Sequence, residues 1–336
     1  MDSMIPKSVI ETKGLTIGYA KRNTVKSLCA EINVEAKQGE LIALIGSNGI
    51  GKSTLIKTLC LIHPALGGQI RIDSKPASTF TRNDAAKSIS LVSTELFRSN
   101  NLKVGDLVGL GRYPHGNWFA PLNGQDQVII QTALSDVGMT EFAHRPINEL
   151  SDGEYQRVMI ARAMAQDTPI VFLDEPTAFL DLSNKFIIFA LLWRLTREQS
   201  KTVIFSTHDI NIAMQFADVF WVMTQKGLQV GAPEDLLMDG TIEKLFAGSD
   251  VYFDAKSNQF RNRKSLNQSI CLQGDGLEFQ LTKLALERLG FFMDCNKPTN
   301  VSVKITKTVQ KTCWELTKNG ITYKCNSISE LQQALR

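Results

Sequence analysis

Gly46-Ser47-Asn48-Gly49-Ile50-Gly51-Lys52-Ser53-Thr54 is the stretch from which the rest of the chain is read. Gly46, Gly51, Lys52 and Ser53 fit the phosphate-binding template Gly-x-x-x-x-Gly-Lys-Ser/Thr. The residues before it, Leu41-Ile42-Ala43-Leu44-Ile45, form a short apolar run that predicts a buried strand. Residues 53–61 predict the first turns of a helix. Strand, glycine loop and helix is the arrangement phosphate binding needs. Glycines let the backbone turn tightly enough for successive N–H groups to face one anion. The helix N-terminus adds partial positive charge. On this template Lys52 reaches the terminal phosphates of a nucleotide, and the Ser53 hydroxyl sits on Mg²⁺.

The bulk numbers are permissive. A chain of 336 residues is long enough for about two domains. Hydrophobic residues at 43% and charged residues at 21% are ordinary for a soluble globular protein. A net charge of +3 is too small to argue for nucleic acid. From Asp250 onward 13 Lys and Arg stand against 8 Asp and Glu, a mildly basic tail that reads as solvated surface. No apolar run approaches the ~18 residues that span a bilayer. The longest, residues 186–193, reads as a buried helix. The N-terminus, Met1 to Pro6, lacks a charged-then-apolar signal pattern. The expectation is a cytosolic protein whose membrane role, if it has one, comes through a partner. Cys29, Cys60, Cys271, Cys295, Cys313 and Cys325 are scattered, with no Cys-x-x-Cys spacing, and read as reduced structural thiols.

Outward from the loop, Leu15 to Tyr19 predicts a strand that ends in an aromatic, and the alternation over Glu31 to Glu35 predicts a second strand. Tyr19 is then a candidate to stack on a base. Gly111-Arg112-Tyr113-Pro114-His115 and the following residues to Pro121 read as a turn-rich loop whose aromatics, Trp118 included, suit a protein contact. Ser151 is a good N-cap, and Glu154 three residues on completes a capping box. Ile170-Val171-Phe172-Leu173 predicts a buried strand with Asp174-Glu175 at its C-terminal end, where active-site groups gather in parallel α/β sheets. Two adjacent carboxylates there do nothing for packing. Thr202 to Ser206 predicts another buried strand, followed by Thr207-His208-Asp209. Successive βα units from residue 40 to 224 predict a mostly parallel sheet with helices on both faces. Lys52/Ser53, Asp174/Glu175 and His208 then share one rim.

Taken together, residues 8–245 resemble the nucleotide-binding subunits of ATP-binding-cassette transporters. The motifs that carry the likeness are Gly46 to Thr54, Leu150 to Arg157, Ile170 to Thr177, Phe179 to Asp181 and Ser206 to Asp209, in that order. Asp106-Leu107-Val108, Gly111 to His115 and Leu173 to Asp181 look like the importer ATPases for iron-siderophores, haem and cobalamin. The resemblance implies an α/β fold: a P-loop NTPase cassette at 8–248 with a mostly parallel sheet, an antiparallel β subdomain and a helical subdomain at about 95–165. A small C-terminal α+β domain follows at 250–336.

The resemblance also implies roles. ATP and Mg²⁺ are the expected cofactors. Tyr19 would stack on adenine, and Ser47, Asn48, Gly49, Gly51, Lys52, Ser53 and Thr54 would hold the phosphates. Ser53 and Asp174 would hold the metal, Glu175 would polarise the attacking water, and His208 would position the γ-phosphate. Such groups position and neutralise charge, which is most of what phosphoryl transfer needs. Ser151, Gly153 and Glu154 would act in trans, on ATP held by a second copy of the chain. The implied partners are that second copy, membrane permease subunits and, indirectly, a periplasmic binding protein. The implied location is the cytoplasmic face of the inner membrane. The alternative is a soluble cassette ATPase without a membrane partner.

Three positions depart from the family pattern. Asp152 stands where glycine is usual, Ile50 where a small polar residue is usual, and Ser93-Thr94-Glu95 where a glutamine is expected. Either Thr94 or Glu95 could take that glutamine's role. Beyond about residue 249 the resemblance ends. Five short strand patterns, with helices at 277–289 and 329–335, predict a small α+β domain. Binding a small regulator, helping dimerisation and covering a sheet edge all remain open for it.

Overall fold

The computed structural model describes residues 7–21, 24–93, 102–116, 121–254, 259–262, 266–295, 299–307 and 312–336. It divides into two compact units, Met1–Ala247 and Gly248–Arg336. The first begins with β1 (Ser8–Lys21), β2 (Thr24–Ile32), β3 (Glu35–Lys37), β4 (Leu41–Gly46), α1 (Lys52–Leu59), β5 (Gly67–Ile72), β6 (Lys75–Pro76), α2 (Arg82–Ser88) and β7 (Ile89–Val92). It continues with α3 (Val104–Gly109), α4 (Gly124–Asp136), α5 (Asp152–Ala165), β8 (Ile170–Leu173), α6 (Leu182–Gln199), β9 (Thr202–Ser206), α7 (Ile210–Phe216), β10 (Val219–Thr224), β11 (Gly227–Gly231), α8 (Pro233–Met238) and α9 (Thr241–Lys244).

The main sheet runs β11-β10-β4-β9-β8-β7. Only β11 is antiparallel to its neighbour. β4, β8 and β9 are buried on both faces, so they read as unbroken apolar runs and not as alternating ones. Because β4, β9 and β8 are adjacent and parallel, their C-terminal ends lie side by side. This juxtaposition builds the site. A second, antiparallel sheet runs β2-β1-β5-β6, with β3 also paired to β1. α3, α4 and α5 pack on one another as the helical part of the unit. There the buried Arg112 guanidinium pairs with Asp126 at 2.9 Å and donates to the Ala165 carbonyl at 2.8 Å.

Two expectations fail in this unit. Residues 31–35 are not one strand: β2 stops at Ile32 and β3 starts at Glu35. Side chains compete with the ladder here. Asn33 accepts from the Gly14 N–H (2.8 Å) and donates to the Glu31 carbonyl (2.9 Å), while Thr12 bonds Ile32 and Val34. The apolar run 186–193 is helical but not buried throughout. α6 buries Ile188, Phe189, Leu191 and Leu192, yet Phe186, Ile187 and Trp193 are 37–46% exposed. A helix laid on a sheet buries one stripe, and an eight-residue run passes right round it.

The second unit has a hairpin, β12 (Val251–Asp254) with β13 (Gln259–Asn262), then β14 (Gln268–Gln273), α10 (Gly276–Arg288), β15 (Phe291–Met293), β16 (Val301–Lys307), β17 (Thr312–Lys318), β18 (Ile321–Cys325) and α11 (Ile328–Leu335). Its sheet order is β15-β14-β16-β17-β18. Ile270, Leu286, Val303, Leu316 and Leu331 form its core, and buried Trp314 donates its indole N–H to Thr282 at 2.7 Å. The expectation of reduced thiols fails at one pair: Cys271 and Cys295 form a disulfide, with Cα atoms 4.5 Å apart. The crossover through α10 sets β15 beside β14, which brings together cysteines 24 residues apart. Linear spacing carries no sign of this.

Candidate functional site

The loop after β4 is shaped by its glycines. Gly46 has φ 158°, and a Cβ there would stand 2.7 Å from the Met223 carbonyl oxygen. Gly51 has φ 116° and is the N-cap of α1. It offers no side chain to the helix. α2, α4 and α5, by contrast, close their first turns with side-chain capping boxes. The first N–H groups of α1 are thus left to an incoming anion. Ser47, Asn48, Gly49 and Ser53 are exposed, and Thr54 is buried.

Lys52 is buried at 5% exposure and folds back under the loop. Its ammonium donates to the carbonyls of Gly46 (2.9 Å) and Ser47 (3.3 Å). Burial holds its pKa below that of an ordinary lysine, and the Glu175 and Asp174 carboxylates partly offset this. His208 Nε2 lies 3.3 Å from this ammonium and 2.7 Å from Glu175 Oε1. A ring nitrogen that carries the proton for Glu175 cannot also accept from Lys52. The shorter contact decides, with His208 donating to Glu175. Three members of the predicted rim, Lys52, Glu175 and His208, are thus neighbours, and the His208–Glu175 bond joins two of them.

Asp174 is buried at the end of β8, and its N–H donates to the Val92 carbonyl at 2.9 Å. The Ser206 hydroxyl donates to Asp174 Oδ1 and accepts from the Glu175 N–H, both at 2.8 Å. Sequence reasoning gave Ser206 no role of its own; a serine ending a buried strand carries no signal until its neighbours in space are known. Beyond His208, Asp209 pairs with Lys185 of α6 at 2.5 Å.

Tyr19 is 51% exposed. Its phenol hydroxyl lies 2.7 Å from Thr54 Oγ1 of α1, and its ring meets His63 edge-on at 6.3 Å. The aromatic predicted to stack on a base thus stands over the helix that begins at the phosphate loop. Thr94, Glu95 and Trp118 lie outside the described residues. His115 Nε2 lies 2.8 Å from the Gln166 carbonyl oxygen.

Ser151 and Glu154 bond each other at the start of α5. Glu154 Oε2 accepts from the Ser151 N–H (2.8 Å) and hydroxyl (2.9 Å), while the Glu154 N–H donates to Ser151 Oγ (3.3 Å). The Ser151 backbone N–H, then its hydroxyl, holds the Glu154 carboxyl below the usual carboxylate range. That contribution is present above the unfolded-state pKa of about 4.3 and is lost as pH falls through the lower folded-state value. Ser151→Ala is expected to cost about 1 kcal/mol of stability in urea unfolding.

Chemically, oxygen donors on Ser53 and Asp174 suit a hard cation. Among the described residues no group of three or more His, Cys, Asp or Glu could hold a metal. Two protein oxygens match Mg²⁺, which usually takes one or two protein groups and completes its shell with water and substrate phosphate.

Residues 29–178 match the family model described as ABC transporter, and residues 267–336 match the Iron ABC transporter C-terminal domain. The chain is 35% identical to the iron(3+)-hydroxamate import ATP-binding protein FhuC of Bacillus subtilis (strain 168), over 74% of this chain and 92% of that protein. Its fold is similar to a chain of an inward-facing ABC transporter described as metal-chelate type. The TM-score is 0.63 and the identity 28%, over 76% of this chain and 96% of that one. It is also similar to the cassette MJ0796 in a dimeric, post-hydrolysis state bound to ADP and Pi. Here the TM-score is 0.58 and the identity 27%, over 67% of this chain and 98% of that one.

Proposed function

The chain belongs to the ABC transporter ATP-binding family, and we propose that it is the ATP-hydrolysing subunit of a membrane importer for ferric siderophores. The observation that carries this reading is the presence, in one chain, of the Lys52–His208–Glu175 rim and a C-terminal segment matching the iron ABC transporter C-terminal domain.

In the proposed mechanism, ATP lies across the N-terminus of α1. Tyr19 stacks on the base, and backbone N–H groups of residues 48–54 hold the phosphates. Lys52 exchanges the Gly46 and Ser47 carbonyls for phosphate oxygens. Ser53 and Asp174 would hold Mg²⁺, which would supply charge neutralisation at the transferring phosphoryl group. Glu175 orients the attacking water and takes its proton, while His208 holds the Glu175 carboxylate and faces the terminal phosphate. One chain carries one phosphate loop and one Ser151–Glu154 helix start. The reading therefore requires two copies, each closing the other's site with the N-terminus of α5.

ATP binding closes that homodimer, and hydrolysis reopens it beneath permease subunits fed by a periplasmic binding protein. Among the described residues no helix is long and apolar enough to cross a membrane. The proposed place at the cytoplasmic face of the inner membrane is accordingly held through the permease. Uptake of radiolabelled ferric hydroxamate tests the reading. A strain lacking this subunit is expected to lose uptake, to regain it with the wild-type chain, and not to regain it with Lys52→Ala. Unchanged uptake in the deleted strain would favour a soluble ATPase.

A further inference from the structure

We propose that Ser206 is the positioning residue of this site: one buried hydroxyl that sets both Asp174 for the cation and Glu175 for water. The inference rests on the Mg²⁺–ATP reading of the rim. Ser206 is the last residue of β9 and is fully buried. The register places it there. β8 and β9 are parallel with Leu173 opposite Phe205, so the next residue of each strand, Asp174 and Ser206, meet at the sheet's edge. A hydroxyl has one proton to give and lone pairs to accept with. Ser206 uses both: it donates to Asp174 Oδ1 and accepts from the Glu175 N–H, each at 2.8 Å.

Each bond fixes something the chemistry needs. Asp174 is held by its backbone to Val92 on one side and by its side chain to Ser206 on the other. The Ser206 bond to Oδ1 sets the orientation in which the carboxylate faces the cation's shell. Glu175 has φ 48°, in the left-handed region that a non-glycine residue keeps only where its surroundings hold it. The Ser206 bond to its N–H is one such hold. The carboxylate above is then fixed by His208, two residues further along the same strand end. The end of β9 thus orients both acidic residues that follow β8, and the single hydroxyl couples them.

Ser206→Ala keeps the volume and removes both bonds. Mn²⁺ binding to the ADP complex, followed by electron paramagnetic resonance, is the direct readout. The Mn²⁺ dissociation constant is expected to rise about tenfold, the lower end of what losing a hydrogen-bond partner of a ligating carboxylate costs. The dissociation constant of ADP without metal should stay within about twofold, since no nucleotide-contacting group is altered. Ser206→Thr retains the hydroxyl and is expected to restore the wild-type constant. If the alanine chain does not fold, Ser206→Cys replaces the strong donor by a weak one and is expected to move the constant in the same direction. An unchanged Mn²⁺ constant and spectrum in Ser206→Ala, or in Ser206→Cys where that is the variant used, would overturn the proposal. If the wild-type ADP complex itself retains no Mn²⁺, the cation reading of Asp174 falls, and this inference with it.

Discussion

Glu175→Gln lowers steady-state ATP hydrolysis by about 10²–10⁴-fold while ATP binding persists, the expected effect of removing a general base. The substitution is nearly isosteric. A glutamine Oε1 can still accept from His208, now 2.7 Å from the carboxylate oxygen, so the rim keeps its shape. What disappears is the negative charge and the ability to take a proton. A second consequence follows at Lys52. Burial holds its pKa down, and the Glu175 carboxylate opposes that effect. Without this carboxylate the pKa falls further, so the loss of ATP binding on raising pH begins at a lower pH than in the wild type. Titration of nucleotide affinity against pH checks the direction. Normal turnover in Glu175→Gln would remove Glu175 from the mechanism.

Gly153→Ala is expected to reduce hydrolysis about 10²-fold with single-chain ATP affinity unchanged, the size of effect a misplacement of about 1 Å can bring. A Cβ on Gly153 would stand 2.8 Å from Asn184 Cγ and 2.9 Å from its Oδ1. Asn184 cannot simply turn away. Its N–H and side-chain amide are both bonded to Asp181, the N-cap of α6, at 2.8 and 3.1 Å. The added methyl therefore pushes α5's first turn off the start of α6. Lys52 and the phosphate loop lie elsewhere in the chain, so binding in one copy is untouched. Single-turnover and equilibrium-binding measurements on the same variant separate the two effects. Equal losses in both would mean that Gly153 serves only the fold.

How far the sequence leads depends on whether a feature is local. The phosphate loop is local: Gly46, Gly51 and Lys52 announce both the turn and its ligand, and the apolar run before them identifies β4. The capping box of Ser151 and Glu154 spans four residues and is equally legible. The carboxylates after β8 were readable because polar pairs seldom follow a buried strand without cause. Ser206 was not, because its meaning comes from the parallel register of Leu173 with Phe205, which sets it beside Asp174. The same holds for Tyr19 and Thr54, joined across 35 residues, and for the Cys271–Cys295 disulfide, which exists only because α10 carries the chain back beside β14. At β2 and β3 the alternation of Glu31 to Glu35 was real, but the Asn33 and Thr12 side chains took over ladder positions that hydrophobicity alone could not reveal.

Sedimentation of the Glu175→Gln chain with Mg²⁺–ATP tests the central claim, that the site is shared between two copies. With hydrolysis blocked, a species of twice the chain mass is expected in ATP and of one chain mass in ADP. Adding Gly153→Ala to the same chain should return the ATP sample to one chain mass. A Glu175→Gln chain that binds ATP fully yet sediments as a single copy would contradict the account.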